Sequence, residues 1–189
     1  MNSETLEKQT VIFELIGSLR ANDNWCGETH IQKTSFFVEE LSGHNLGYDF
    51  ILYKHGPYSF ELSEDLAGMG ALHFVDQEIV NPNYGPRLKR NPEVEQMLKE
   101  QFGQKIQNLK PAVDFVVLKL SEYGVATLER LATALYFTKK EPIEGVDARA
   151  RKINEVKPHI PMTLALDAVK NVDQILAEWN TQSNQTVAA

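Results

Sequence analysis

Cysteine is almost missing from this chain: Cys26 is the single one in 189 residues. That excludes an intramolecular disulfide and any zinc site assembled from several cysteines. Long apolar runs are missing too, since none approaches the ~20 residues that cross a bilayer. The opening stretch MNSETLEKQTVIFELIGSLR has neither the basic start nor the small-residue cleavage site of a secretion signal. The expectation is a soluble, cytoplasmic protein with no membrane partner. Basic charge is in short supply, with 19 Lys and Arg against 26 Asp and Glu and a net charge of −7. Such a balance repels phosphate backbones, so nucleic-acid binding would need a local patch. There is no glycine-rich phosphate loop and no nucleophile elbow, and no cofactor is expected.

What is present is ordinary globular material: 42% hydrophobic and 24% charged residues, in a length that holds one compact domain or two small ones. Ile12, Leu15, Ile16 and Leu19 recur at helical spacing and predict a helix over 3–21. Asn22 to Gly27 is a turn by composition, and a second helix over 28–41 places Ile31, Thr34, Val38 and Leu41 on one side. Phe36 and Phe37 broaden that face. The stretch FILYKHGPYSFELSEDLAGMGALHFV, 50–75, reads as a strand, a turn at Gly56-Pro57, a helix capped by Ser59 and a returning strand. Strand His73–Val80, a loop over 81–86 and a return along Arg87–Arg90 make a hairpin, the wing.

Asn91-Pro92 opens a connecting helix to about Asn108, and Pro111 starts another that ends near Gly124. Thr127 is expected to cap the next helix, followed by a charged helical segment over 145–157 and a last helix from about Thr163 to Trp179. The fold class is therefore mainly α with a small antiparallel β-hairpin, a winged helix-turn-helix-like N-terminal half packed on a helical C-terminal half. The expected divisions are a winged-helix-like domain at 1–90, a connecting helix at 91–110, a helix-turn-helix-like part at 111–180 and a disordered tail at 181–189. Ile31, Phe36 and Phe37 are echoed 100 residues later by Leu131, Tyr136 and Phe137.

No catalytic constellation emerges, and an enzyme is not expected. Cys26 and His30 are four apart, as a thiol–imidazole pair would be, but nothing near them in sequence supplies an oxyanion hole or an orienting group. His30, His44, His55, His73 and His159 are scattered over different elements, and no pair has ligand spacing on one helix, so no metal is expected. Glu61, Glu64 and Asp65 are assigned to a solvated helix face. If 28–41 or 59–69 is the DNA-reading helix, its glutamates and Asp65 face phosphates poorly. The basic groups Arg87, Lys89 and Arg90 on the wing are the candidate nucleic-acid contacts, and a DNA-binding transcriptional regulator is the alternative function. The preferred function is binding of a protein partner through the turn at Lys54, His55, Tyr58 and Ser59.

Those residues also carry a likeness. Ile31-Gln32-Lys33, Phe36-Phe37, Tyr53-Lys54 and Gly56-Pro57-Tyr58-Ser59, with the downstream TLERLATALYF and Lys157-Pro158, resemble the YwgA-like group of uncharacterised bacterial proteins. More distantly they are similar to the GepA and SocA-type (Panacea) antitoxin domain. The resemblance spans about residues 10–177. It implies a helical, winged-helix-like fold and, for the antitoxin branch, binding and neutralising a protein partner. It implies no catalytic residues.

Overall fold

The computed structural model describes residues 3–81 and 84–187. Among them are seven helices and two short antiparallel hairpins, in the order α1 (Ser3–Ala21), α2 (Glu28–Ser42), β1 (Ile51–Tyr53), β2 (Gly56–Tyr58), α3 (Phe60–Ala71), β3 (Val75–Glu78), β4 (Arg87–Arg90), α4 (Pro92–Leu120), α5 (Val125–Lys139), α6 (Val146–Val156) and α7 (Met162–Val187). No helix among the described residues is long and apolar enough to cross a membrane. The chain divides into two compact units, one of Met1–Ile51 with Tyr58–Glu122 and one of Leu52–Pro57 with Tyr123–Ala189.

In the first unit α2 is the central element. Every residue from His30 to Val38 is buried, because α1, α3 and α4 all pack on it. Phe13, Ile16 and Leu19 of α1, Ile31, Phe36 and Phe37 of α2, Leu62 and Met69 of α3, and Val116 and Leu120 of α4 form the core. Helix α2 ends where Gly43 turns into the left-handed region at φ +67, a conformation glycine adopts without steric cost. A Cβ at Gly17 would collide with the Arg90 guanidinium, so any side chain there would have to push that group aside.

β3 and β4 pair antiparallel with Val75 opposite Arg90 and Glu78 opposite Arg87. A third segment joins them: Gly27, in the loop between α1 and α2, makes an isolated antiparallel bridge to Arg87, and Leu88 donates its N–H to the Cys26 carbonyl at 2.8 Å. Pro82 and Asn83 of the expected loop tip lie outside the described residues.

Several expected boundaries shift. Helix α4 runs through Pro111 instead of restarting there, and its non-helical residue is Phe102 (φ −125, ψ 18). A proline gives up one helical hydrogen bond, and here Leu109, Ala112, Val113, Val116 and Val117 stay buried on a continuous helix face, so packing prevails. The first hairpin turns at Lys54-His55, two residues before the expected Gly56-Pro57, with Gly56 at φ +84 entering β2. Helix α5 begins at Val125 with Gly124 as its cap residue, so Thr127 lies inside the helix and its hydroxyl accepts from Arg130. Helix α7 continues to Val187, where the reading of composition placed a disordered tail from 181. Ala188 and Ala189 lie outside the described residues.

The second unit contains α5, α6 and α7, with Leu128, Leu131, Leu135, Ile153, Ala165, Val169 and Val172 buried. Arg149 of α6, 7% exposed, ties the three together. Its guanidinium makes a bidentate pair with Asp173 of α7 at 2.7 Å on both sides and donates to Thr138 of α5 at 2.8 Å. All six residues of the internal echo are buried.

Two of the expected caps are present. Asn91 accepts from the Glu93 N–H at 3.0 Å, and Ser59 Oγ accepts from the Leu62 N–H at 3.3 Å. Ser59→Ala should therefore cost about 1 kcal/mol, read as a lower urea midpoint with an unchanged slope. A cost near zero would show that the cap contributes little.

Candidate functional site

The residues singled out at the first hairpin separate by burial. Lys54 and His55, at the turn, are exposed. Tyr58 is half-buried and its hydroxyl donates to Glu28 Oε1 at 2.9 Å, which the Ser63 hydroxyl also reaches at 2.8 Å. Ser59 is fully buried, which removes it as a contact residue. Its backbone is clamped by the Gln32 side-chain amide: Gln32 Nε2 donates to the Ser59 carbonyl and Gln32 Oε1 accepts from the Ser59 N–H, both at 2.9 Å. Gln32 and Ser59, from two of the motifs that carry the family likeness, are thus one structural pair. Phe50, just before β1, is buried with its ring centre 5.3 Å from that of Phe36, and Ile51 and Tyr53 are exposed.

The hairpin tip, 52–57, belongs to the second unit, and there it meets a cluster of titratable side chains. Glu129 of α5 is its centre. His55 Nδ1 lies 3.4 Å from Glu129 Oε2, and His159 Nε2 lies 3.2 Å from Glu129 Oε1. Lys157 Nζ lies 4.0 Å from Glu129 Oε1 and donates to the carbonyls of both Tyr53 and Lys54. Glu129 and Lys157 have side chains only 8% exposed, whereas those of His55 and His159 are 71% and 59% exposed.

Local structure explains these positions. Lys157 is the C-terminal cap residue of α6, where Pro158 prevents the helix from continuing. The turn that follows is closed by Ile160 N–H to Lys157 O at 2.9 Å and Asn154 Nδ2 to Ile160 O at 2.8 Å, which fixes His159 beside α5.

Glu129 is the anchor of this arrangement. A carboxylate only accepts, so each histidine facing it must present a ring N–H, and the other ring nitrogen is left to point away. Burial lowers the Lys157 ammonium from the ordinary lysine range, and the nearby Glu129 carboxylate partly opposes that shift. Two backbone carbonyls and one carboxylate replace the water the ammonium has lost. The sequence treated the five histidines as scattered, and the fold brings two of them to one carboxylate. A signal existed: 131–138 contains no charge, so a helix this apolar is buried all round and Glu129 within it needs partners. Among the described residues, no group of three or more His, Cys, Asp or Glu could hold a metal ion.

The remaining candidates are absorbed by the first unit. Cys26 is fully buried, and burial pushes its thiol up to about 12, away from the thiolate a nucleophile requires. Its Sγ donates weakly to the Ile16 carbonyl at 3.8 Å. His30 is 6% exposed with Nδ1 lacking a hydrogen-bond partner, and burial lowers its pKa from the ordinary value.

The folded state therefore binds that proton less readily than the unfolded chain. The stability His30 permits is complete above the unfolded value of about 6.5 and is lost as pH falls from there through the lower folded value. Urea midpoints should decline on acidification, and His30→Gln should flatten the decline. An unchanged slope in the variant would assign the acid sensitivity elsewhere.

Asp65 is not a solvated surface group as expected, because it accepts from the Tyr48 hydroxyl at 3.0 Å and from Gln9 Nε2 at 3.1 Å. Burial, with the Asp65 carboxylate beside it, holds the Tyr48 phenol far above its usual range. Glu61 and Glu64 are exposed, as expected.

The cations of the second hairpin are paired. Arg87 Nε lies 2.8 Å from Glu78 Oε2, Lys89 Nζ 3.9 Å from Glu78 Oε1, and Arg20 joins the same carboxylate at 3.2 Å. Arg90 bridges Glu14 at 3.3 Å and Glu95 at 3.5 Å, and its guanidinium lies 5.3 Å from the Phe13 ring centre. A groove of about 270 Å³ beside α1 is crossed by the Glu7–Lys105 ion pair at 3.2 Å, so its charges are also matched. No protein-family model matches this chain, and no curated protein matches it.

Proposed function

We propose that this chain is a non-enzymatic interaction protein on a winged-helix scaffold, engaging a protein partner through the tip of its first hairpin. The observation that carries the reading is the tip itself. Lys157 holds the Tyr53 and Lys54 carbonyls from beneath, while the Lys54 and His55 side chains stay exposed. A backbone already fixed loses little further entropy on binding, which favours recognition.

The scaffold part of the proposal is supported by the order of elements and by the bridge from Gly27 to Arg87. That bridge adds the segment between α1 and α2 to the β3–β4 ribbon, the third strand of a winged helix, with α3 in the place of the reading helix. Exposed Glu61 and Glu64 on α3 and the paired Arg87, Lys89 and Arg90 speak against phosphate as the ligand. His55 and His159 converge on Glu129, but on an open surface that would not exclude water from a reaction. An antitoxin-like role, in which the bound partner is neutralised, follows from the resemblance to the Panacea domain and is part of the same proposal.

The test is affinity capture from the native host with the tagged full chain and a Lys54→Glu/His55→Ala variant of equal thermal stability. A partner recovered with the native chain and lost with the variant is the expected result. An identical partner set would overturn the tip as the contact site.

A further inference from the structure

Resting on that reading, we infer the chemistry of the partner: the tip is built to dock an acidic protein segment. Lys54, His55 and His159 form its cationic contact surface. Three features of the second unit lead there.

The first is the placement of charge. Around the tip the clustered carboxylate is Glu129, and its side chain is only 8% exposed. It is surrounded by His55, His159 and Lys157, so its charge is satisfied from within. The groups left on the outside are Lys54 and the two imidazoles.

The second is orientation. Each imidazole spends one nitrogen on Glu129, His55 through Nδ1 and His159 through Nε2. The nitrogen remaining to His55 is Nε2, and that remaining to His159 is Nδ1. With the inner N–H fixed on a carboxylate, protonation adds an outer N–H, and a positive ring donating to a carboxylate makes a charge-assisted hydrogen bond. Glu129 also offsets the second positive charge on two neighbouring rings. Lys157, held by the Tyr53 and Lys54 carbonyls, adds positive potential beneath the turn without being spent on the partner.

The third is the distribution of charge along the chain. The second unit carries nine basic and eight acidic side chains, and the first ten basic and eighteen acidic. An acidic segment would be repelled by the field of the first unit's sequence and tolerated only by the second. Complementarity of this kind selects partners and accelerates encounter more than it deepens affinity. It therefore predicts a salt-sensitive complex.

The probe is a fluorescein-labelled hexaglutamate peptide, read by anisotropy against the full chain at low ionic strength, with labelled hexalysine as control. Saturable hexaglutamate binding is expected, without hexalysine binding. Lys54→Glu should weaken it by about tenfold or more, the size of effect that one misplaced charge at a contact produces. The His55→Gln/His159→Gln variant should weaken it as well, with circular dichroism showing an intact fold.

No hexaglutamate binding, or equal binding by native protein and Lys54→Glu, overturns the assignment of an acidic partner. Full displacement by inorganic phosphate, at an ionic strength where sodium chloride displaces nothing, would make the site one for small anions and overturns it too. The outcomes separate from those of the capture experiment. A partner lost with Lys54→Glu/His55→Ala but no hexaglutamate binding leaves the tip as the contact site and removes only the acidic class. An unchanged partner set removes both.

Discussion

Replacing Lys157 by methionine should lower the unfolding free energy by about 3 kcal/mol, as removal of one partner from a buried charged network generally does. The methionine keeps most of the side chain's bulk but none of its donors. The carbonyls of Tyr53 and Lys54 then lose the group that now reaches both of them, and Glu129 loses the ammonium 4.0 Å away. Because Lys157 is 6% exposed, water cannot readily take its place. The loss should appear in urea unfolding as a lower midpoint. It should also appear as weaker partner capture, because the turn carrying Lys54 and His55 is no longer held. A loss below about 1 kcal/mol would mean the carbonyls find other donors, and the tip would not be a fixed platform. Lys157→Arg tests the geometry separately, since a planar guanidinium cannot place its donors where a compact ammonium does.

The second large effect is expected at Gln32. Its side-chain amide pairs with the Ser59 backbone through two hydrogen bonds of 2.9 Å, and both residues are fully buried. Gln32→Leu would leave the Ser59 N–H unpaired in the core and its carbonyl with the Ser63 N–H alone, at 3.2 Å. At about 1–3 kcal/mol for an unsatisfied buried group, a loss of about 2 kcal/mol should follow. Gln32→Glu should fare no better, because a carboxylate accepts from the Ser59 N–H but faces the Ser59 carbonyl with no donor and buries a charge. Unfolding free energies of the two variants within about 0.5 kcal/mol of the native protein, the scatter of neutral surface changes, would dismiss the clamp as a stabilising feature.

The two predictions bear on contacts that shape the first hairpin. The Gln32 amide clamps the Ser59 backbone at the entry into α3, and Lys157 separately holds the Tyr53 and Lys54 carbonyls. These contacts are an architectural device. Function must then be sought in the side chains the device displays, Lys54 and His55 above all, and in what it brings to them.

Periodicity and local chemistry were legible where they act over one or two turns. Apolar spacing placed α1, α2 and α3, Ser59 and Asn91 were recognisable as caps, and Pro92 belonged in a first turn. Two of the misplaced boundaries share one cause. Pro111 and the polar residues after Trp179 weaken a helix locally, yet α4 and α7 continue through them, and a local reading does not weigh distant packing.

The sequence by itself determined that this is a mainly helical chain with short hairpins, acidic overall, without a disulfide, and with Lys54 and His55 at an exposed turn. Only the tertiary structure decided which polar groups are spent inside. It buried Ser59 against Gln32, closed Cys26 away from solvent, and paired Arg87, Lys89 and Arg90 with glutamates. It also carried His159 and Lys157, more than 100 positions along the chain, to Glu129 and the turn at His55. The physical reason is that burying a charge is costly unless a partner is there, and partners are found in space. Spacing along the chain records the helix face on which Glu129 sits, but not the loop that folds over to meet it.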